Sequence, residues 1–305
     1  MKRPIFAAVL CAVAWIGGAC GQLMTEPPPP GDDFESPFEG LSADLNAAFV
    51  AGDENFAKAF TIDEGLGPIF NNVSCEGCHP GDGRGTPALG FFRFSEGEDL
   101  ALDKGGAQHQ DKAIPGAPPE VLPPGVDRSF RIPPPVFGVG LIEAIPVETI
   151  LSREDPDDAD GDGISGRAHW VRSPDYVSAA HVGGGDGIQL RRFSRKAQVS
   201  SLLQQVVEGL ADSRPDGDAT GREWRAAPLW GLRLVPDFLG GQAFYMHDGQ
   251  STTLHDAIVR HGGESAASRD AYMALDQADQ EALIAFLVYL YAGIRPPPRG
   301  LGTGI

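Results

Sequence analysis

Cys75 and Cys78 are separated by Glu76 and Gly77, and His79 follows directly. Two thiols at this spacing can each add to one vinyl group of a porphyrin. A histidine beside the second thiol can then offer its imidazole to the iron. This is the attachment pattern of haem c (heme c), with His79 as the first axial ligand. Half of a zinc site is the competing reading. Zinc asks for four ligands, usually with a second Cys or His pair at similar spacing, and the sequence has no other Cys pair of that kind. The expected cofactor is one covalent haem per chain.

A second group could hold a metal. Asp158, Asp160 and Asp162 alternate with Ala159 and Gly161, and Gly163 permits a sharp turn. Alternate carboxylates can point into one small loop, which suits calcium, a hard cation that prefers oxygen. This is the first half of an EF-hand loop. The position for its closing carboxylate, eleven residues after Asp158, is His169, so a complete EF-hand is excluded. Asp155 and Asp157 could add oxygens. An ordinary acidic turn is the alternative.

The elements that must position these groups are helices joined by loops. Ser42 can cap a helix carrying Leu45, Ala48, Phe49, Phe56 and Phe60, with Gly52 as its weak point. Gly65 and Gly67-Pro68 end it, and a loop then brings the haem motif. Arg84 lies in the glycine-rich turn after the motif, facing either a haem propionate or solvent. Residues 90–195 read as loop, broken by Pro133-Pro134-Pro135. Apolar spacing predicts helices over Lys196–Ala211, over Thr253–Arg260, and after the cap Asp276. This order predicts a mainly α fold: a cytochrome c-like haem domain over 41–305, with 90–220 as a large loop-rich insertion.

Net charge excludes one class of partner. The chain has 42 acidic and 24 basic residues, a net charge of −18, so it lacks the basic face that nucleic acid requires. An acidic surface suits a basic protein partner. Lys2 and Arg3, the apolar run Ile5–Ile16 and the small residues Gly17-Gly18-Ala19 read as a secretory signal over 1–19. The segment resembles a bacterial lipoprotein signal, with lipid on Cys20, although Gly17 stands where Leu is usual. Simple secretion is the alternative. Gly21 after the cysteine resembles outer-membrane sorting. Residues 20–40, with Pro27–Pro30, read as an extended tether. The expected location is the periplasm, with lipid as the only membrane anchor. Cleavage leaves 22 basic and 42 acidic residues, a charge of −20. It removes Cys11, and the lipid and haem take the other three cysteines, leaving none for a disulfide.

Several stretches taken together resemble the bacterial di-haem oxidoreductases, peroxidase-like proteins distantly related to bacterial cytochrome c peroxidase. They are residues 65–71, 134–146, 155–167 and 228–232, then His247-Asp248-Gly249, 253–258 and 261–264. The resemblance implies a haem oxidoreductase. The family usually carries two haem-attachment motifs, and this sequence has one; the interval from Ala211 to Trp224 contains no cysteine. The resemblance also implies His261 as the second axial ligand, since the distal ligand follows the His-Asp-Gly stretch beyond a short helix. The residues themselves also offer His109, His169, His181, His247, His255, Met246 and Met273. A helix cap beside Gly262 is the other reading of His261.

Three functions from different classes remain open. The first is an electron carrier with both axial positions filled and an electron-transfer protein as partner. The second is a peroxidase or related oxidoreductase with an open iron position; Glu143 is a candidate acid or base there, or else a structural carboxylate. The third is a protein in which haem is only structural.

Overall fold

Helix α1 (Ala43–Ala57) begins where the Ser42 hydroxyl accepts a hydrogen bond from the Leu45 amide. This satisfies one of the amides that a helix start leaves without a partner. In the computed structural model the described residues are 34–37, 40–97, 99, 101–177, 187–211 and 224–290. The chain divides into two units, Met1–Ser36 and Pro37–Ile305. Of the first, only 34–36 are described, in a turn. The signal, Cys20, most of the tether and His181 lie outside the described residues.

Six strands and seven further helices follow α1 among the described residues. Strands β1 (Ile69–Phe70) and β3 (Lys112–Ala113) form one antiparallel pair. Strands β2 (Phe91–Ser95) and β4 (Asp127–Arg131) form a second, and β5 (Trp170–Arg172) and β6 (Ile188–Leu190) a third. The helices are α2 (Val139–Glu143), α3 (Val147–Leu151), α4 (Leu202–Ala211) and α5 (Val235–Phe238). Then come α6 (Leu254–Val259), α7 (Ala266–Ala274) and α8 (Gln277–Tyr289). No described helix is long and apolar enough to cross a membrane.

The expectation of a mainly α fold is corrected. The chain is 33% helical with 13% strand, a mixed composition. The sequence region read as loop holds five of the six described strands. Their physical cause is visible in β2, where Phe94 is buried while Phe92 faces outward and meets Phe130 of β4 edge-on at 5.3 Å. A cross-strand aromatic pair of this kind stabilises a two-stranded ribbon. Neither α1 nor α8 makes extensive contact with another described element, and Phe286 of α8 is 60% exposed.

Two packed regions position the site. Val235 of α5, Ala243, Tyr245 and Ala257 of α6 form a core cluster, with Met246 and Leu254 against it. Thr253 caps α6 by accepting from the Asp256 amide at 3.1 Å. The second region is polar and buried. Ser173 bonds Gln189 at 2.9 Å and Ser200 at 2.6 Å, and Gln204 accepts from Ser200. Buried polar groups are tolerated when they satisfy one another in this way.

Candidate haem and anion site

The haem motif sits on a single helical turn. The amides of Cys78 and His79 both donate to the Cys75 carbonyl, at 3.0 and 2.9 Å. Asn72 holds the loop: its amide group donates to the Gly77 carbonyl at 2.6 Å, and its oxygen accepts from Val73. The Ser74 hydroxyl accepts from the Gly77 amide at 2.9 Å. A Cβ on Gly77 would fall 2.4 Å from the Asn72 side-chain oxygen, so a larger residue there would displace the Asn72 carboxamide that holds the loop. The loop is tied to α1 where the Glu76 amide donates to Phe56, whose ring lies 6.3 Å from that of His79.

The chemical state of these groups fits haem attachment. Cys75 and Cys78 are free and half-buried, and burial raises both thiols above their ordinary range. Burial lowers the proton affinity of His79, opposed by backbone hydrogen bonds at Pro134 and Gly83. His79 is therefore a neutral imidazole, the form that binds metal. Its Nδ1 is buried and has no hydrogen-bond partner. A buried ring nitrogen without a partner is costly unless a ligand completes it.

Several segments distant in sequence meet around the motif. The Gly85 amide donates to Pro133 at 3.1 Å, and the Ile132 amide donates to His247 at 3.0 Å. Arg84 donates to the Met246 carbonyl. Arg195 donates to Ile132 at 2.6 Å, and its positive field acts on both His79 and His247. Arg225 donates to Ser194. The Trp224 ring stacks on His247 at 4.4 Å and faces the cations of Arg131 and Lys196. His247 is pushed down to about 4, first by burial and then by Arg131.

The other candidates are committed elsewhere or stand apart. Asp248 accepts from the Gln250 amide, and Gly249 has φ +76°, so this stretch forms a turn. His109 contacts the Glu120 carbonyl at 2.9 Å, and His255 meets the Tyr272 hydroxyl at 2.8 Å. Met273 of α7 is exposed, and the His169 carbonyl accepts from Arg191. His261 is exposed at the end of α6, and its Nδ1 bonds the Ala257 carbonyl at 2.7 Å. No hydrogen bond or ring contact joins it to His79. Glu143 accepts from the Leu202 amide at 2.9 Å and so caps α4.

In the acidic loop, carboxylate oxygens of Asp155, Asp158 and Asp160 lie within 4.8 Å of one another. Asp162 is outside this group and accepts from the Ile164 amide. Asp155 takes its place by turning back on the Ala159 amide at 2.8 Å.

Arg131, Arg195, Arg225 and Trp224 were not legible as site residues. One signal points to Arg195: the basic run Arg191-Arg192-Phe193-Ser194-Arg195-Lys196 in a strongly acidic chain.

The model of the family described as "Di-haem oxidoreductase, putative peroxidase" matches residues 18–100, 120–207 and 199–290. No curated protein matches the chain, and no solved structure matches it.

Proposed function

The chain belongs to the di-haem oxidoreductase family, and from that premise we propose that it is an exported electron-transfer cytochrome with one covalent haem. The observation that carries this reading is His79, a half-buried neutral imidazole whose buried Nδ1 has no partner, beside two free thiols. Cys75 and Cys78 attach the porphyrin and His79 binds the iron. When bound, the haem supplies a one-electron iron couple. A single attachment motif gives one covalent haem, which favours electron transfer over chemistry shared between two haems.

His261 is the second axial ligand in this proposal. Its Nδ1 is held by the Ala257 carbonyl, which leaves Nε2 as the nitrogen for metal. Metal-binding histidines are commonly oriented by such a bond from the other ring nitrogen. The partner is an electron-transfer protein with a basic docking face, by complementarity to the acidic chain. Export to the periplasm and lipid at Cys20 complete the proposal, supported by the composition of residues 1–21. Calcium at Asp155, Asp158 and Asp160 belongs to it too, since crowded carboxylates repel one another without a cation.

The family description favours a second reading, a peroxidase. The two differ at the iron. An optical spectrum of protein made in an exporting host, taken with and without cyanide, separates them. A low-spin spectrum unmoved by cyanide is the carrier. A high-spin spectrum that shifts with cyanide means an open site, and the carrier reading is then wrong.

A further inference from the structure

Arg84, Arg131, Arg195 and Arg225 form a cationic cluster inside an acidic chain. The fields of Arg84, Arg131 and Arg225 all act on Arg195. Burial, then this repulsion, holds Arg195 down to about 9; burial holds Arg84 and Arg131 down to about 10. A guanidinium normally stays above about 12. Like charges kept from water are unfavourable unless an anion joins them. The carboxylate whose field reaches Arg84, Arg131 and Arg195 is Asp248. The His247 ring, neutral above about pH 4, lies 3.9 Å from it, and among the described residues Asp248 forms no ion pair with these arginines. Backbone carbonyls take only part of the donor set, and Arg84 Nε is buried with no partner. Among the described residues three guanidinium groups thus share the field of one carboxylate, and donors remain.

We propose that Arg84, Arg131 and Arg195 form a partly buried carboxylate-binding site, and that it holds the propionates of the haem attached at Cys75 and Cys78. This rests on the haem reading of the motif. Two observations place the site beside the haem. Arg84 is five residues beyond His79 in the loop that folds back on Pro133. Arg195 donates to the Ile132 carbonyl at 2.6 Å, next to Pro133, on which the Gly85 amide of the loop after the motif closes. A guanidinium presents two parallel N–H groups that match a carboxylate, and a porphyrin carries its charge on two carboxylates. A small free organic acid offers the same chemistry, so the test must tell the two sources apart.

The test uses Arg84→Gln, Arg195→Gln and Arg84→Lys as haem-loaded proteins. Midpoint potential, the resonance Raman propionate mode and melting in added acetate are measured. With propionates in the site, both Gln variants keep covalent haem, their potentials fall because a cation favouring reduced iron is gone, and the propionate mode shifts. Arg84→Lys keeps the charge, so its potential stays near wild type while the mode still shifts. It also serves if a Gln variant fails to fold. Acetate leaves wild-type melting unchanged. If acetate instead raises wild-type melting saturably and the Gln variants lose that response with unchanged potential, a free acid occupies the site and the propionate assignment is overturned. Full haem with unchanged potential, mode and acetate response overturns the site altogether. A chain lacking haem c overturns the underlying haem reading as well, and haem content distinguishes that failure.

Discussion

At the scale of the residue, His247 gives the protein a pH response with a definite sign. Its folded pKa is about 4 against an ordinary 6.5, chiefly through burial. Between these values the unfolded chain binds more protons than the folded one, so stability falls as pH drops through this window. The whole shift corresponds to about 3 kcal/mol. With a third of the side chain in solvent, about 1–2 kcal/mol is the expected loss. Denaturant unfolding at stepped pH should show the decline from about pH 6.5 to about pH 4, and His247→Gln should flatten it. An unchanged slope in the variant would assign the response to another group. His261 carries the second residue-scale prediction. His261→Ala should convert a low-spin optical spectrum to a high-spin one that binds cyanide. An unaltered spectrum would leave His261 as the cap of α6 that its bond to Ala257 already makes it.

At the scale of the element, the loop after the motif is fixed by close backbone packing. A Cβ on Gly85 would lie 2.6 Å from Pro133 Cδ and 2.7 Å from the Cys78 carbonyl oxygen. Neither atom is a flexible side-chain end, so Gly85→Ala should cost about 1–3 kcal/mol in denaturant unfolding. Gly52 of α1 is the contrast, with nothing within 4 Å of its would-be Cβ. Gly52→Ala should stabilise by about 0.5–1 kcal/mol, because alanine loses less freedom in a helix. In the acidic loop, bound calcium should raise the melting temperature, since a ligand of the native state shifts unfolding by mass action. Chelator should lower melting in wild type and not in Asp158→Asn. Equal melting in both would mark the loop as a turn held by its own backbone bonds.

Helices α1, α6 and α8 were legible because their caps are local, whereas α2 and α3 fall in the stretch read as loop and α5 and α7 were not expected. Ser42, Thr253 and Asp276 each accept from an amide three residues on, a pattern contained in four residues of sequence. The start of α4 was misplaced: Lys196 was expected, and Leu202 is observed. Ser200 and Ser201 are buried in polar contacts there, and such contacts compete with the helix. The strands were missed because their partners are far away. Phe91 of β2 pairs with Arg131 of β4, forty residues on. Two-stranded ribbons this short carry little alternation by which to recognise them.

At the scale of the whole molecule, the haem motif was legible from five adjacent residues, whereas its surroundings were not. Arg84, Ile132, Arg195 and Met246 meet only through the tertiary fold, and no local spacing announces that meeting. The charge balance of the chain even conceals it, since an excess of acidic residues hides a cationic interior. Export and lipid attachment belong to this scale too. Cys20→Ser should release the protein from the membrane fraction into the soluble periplasm. Retention in the membrane fraction would mean another anchor.

Everything proposed for the site depends on one covalent haem at Cys75 and Cys78. A pyridine haemochrome assay on denatured, purified protein counts it most directly. One c-type haem per chain is expected, lost when both cysteines are replaced by alanine. No c-type haem, or two per chain, would contradict it.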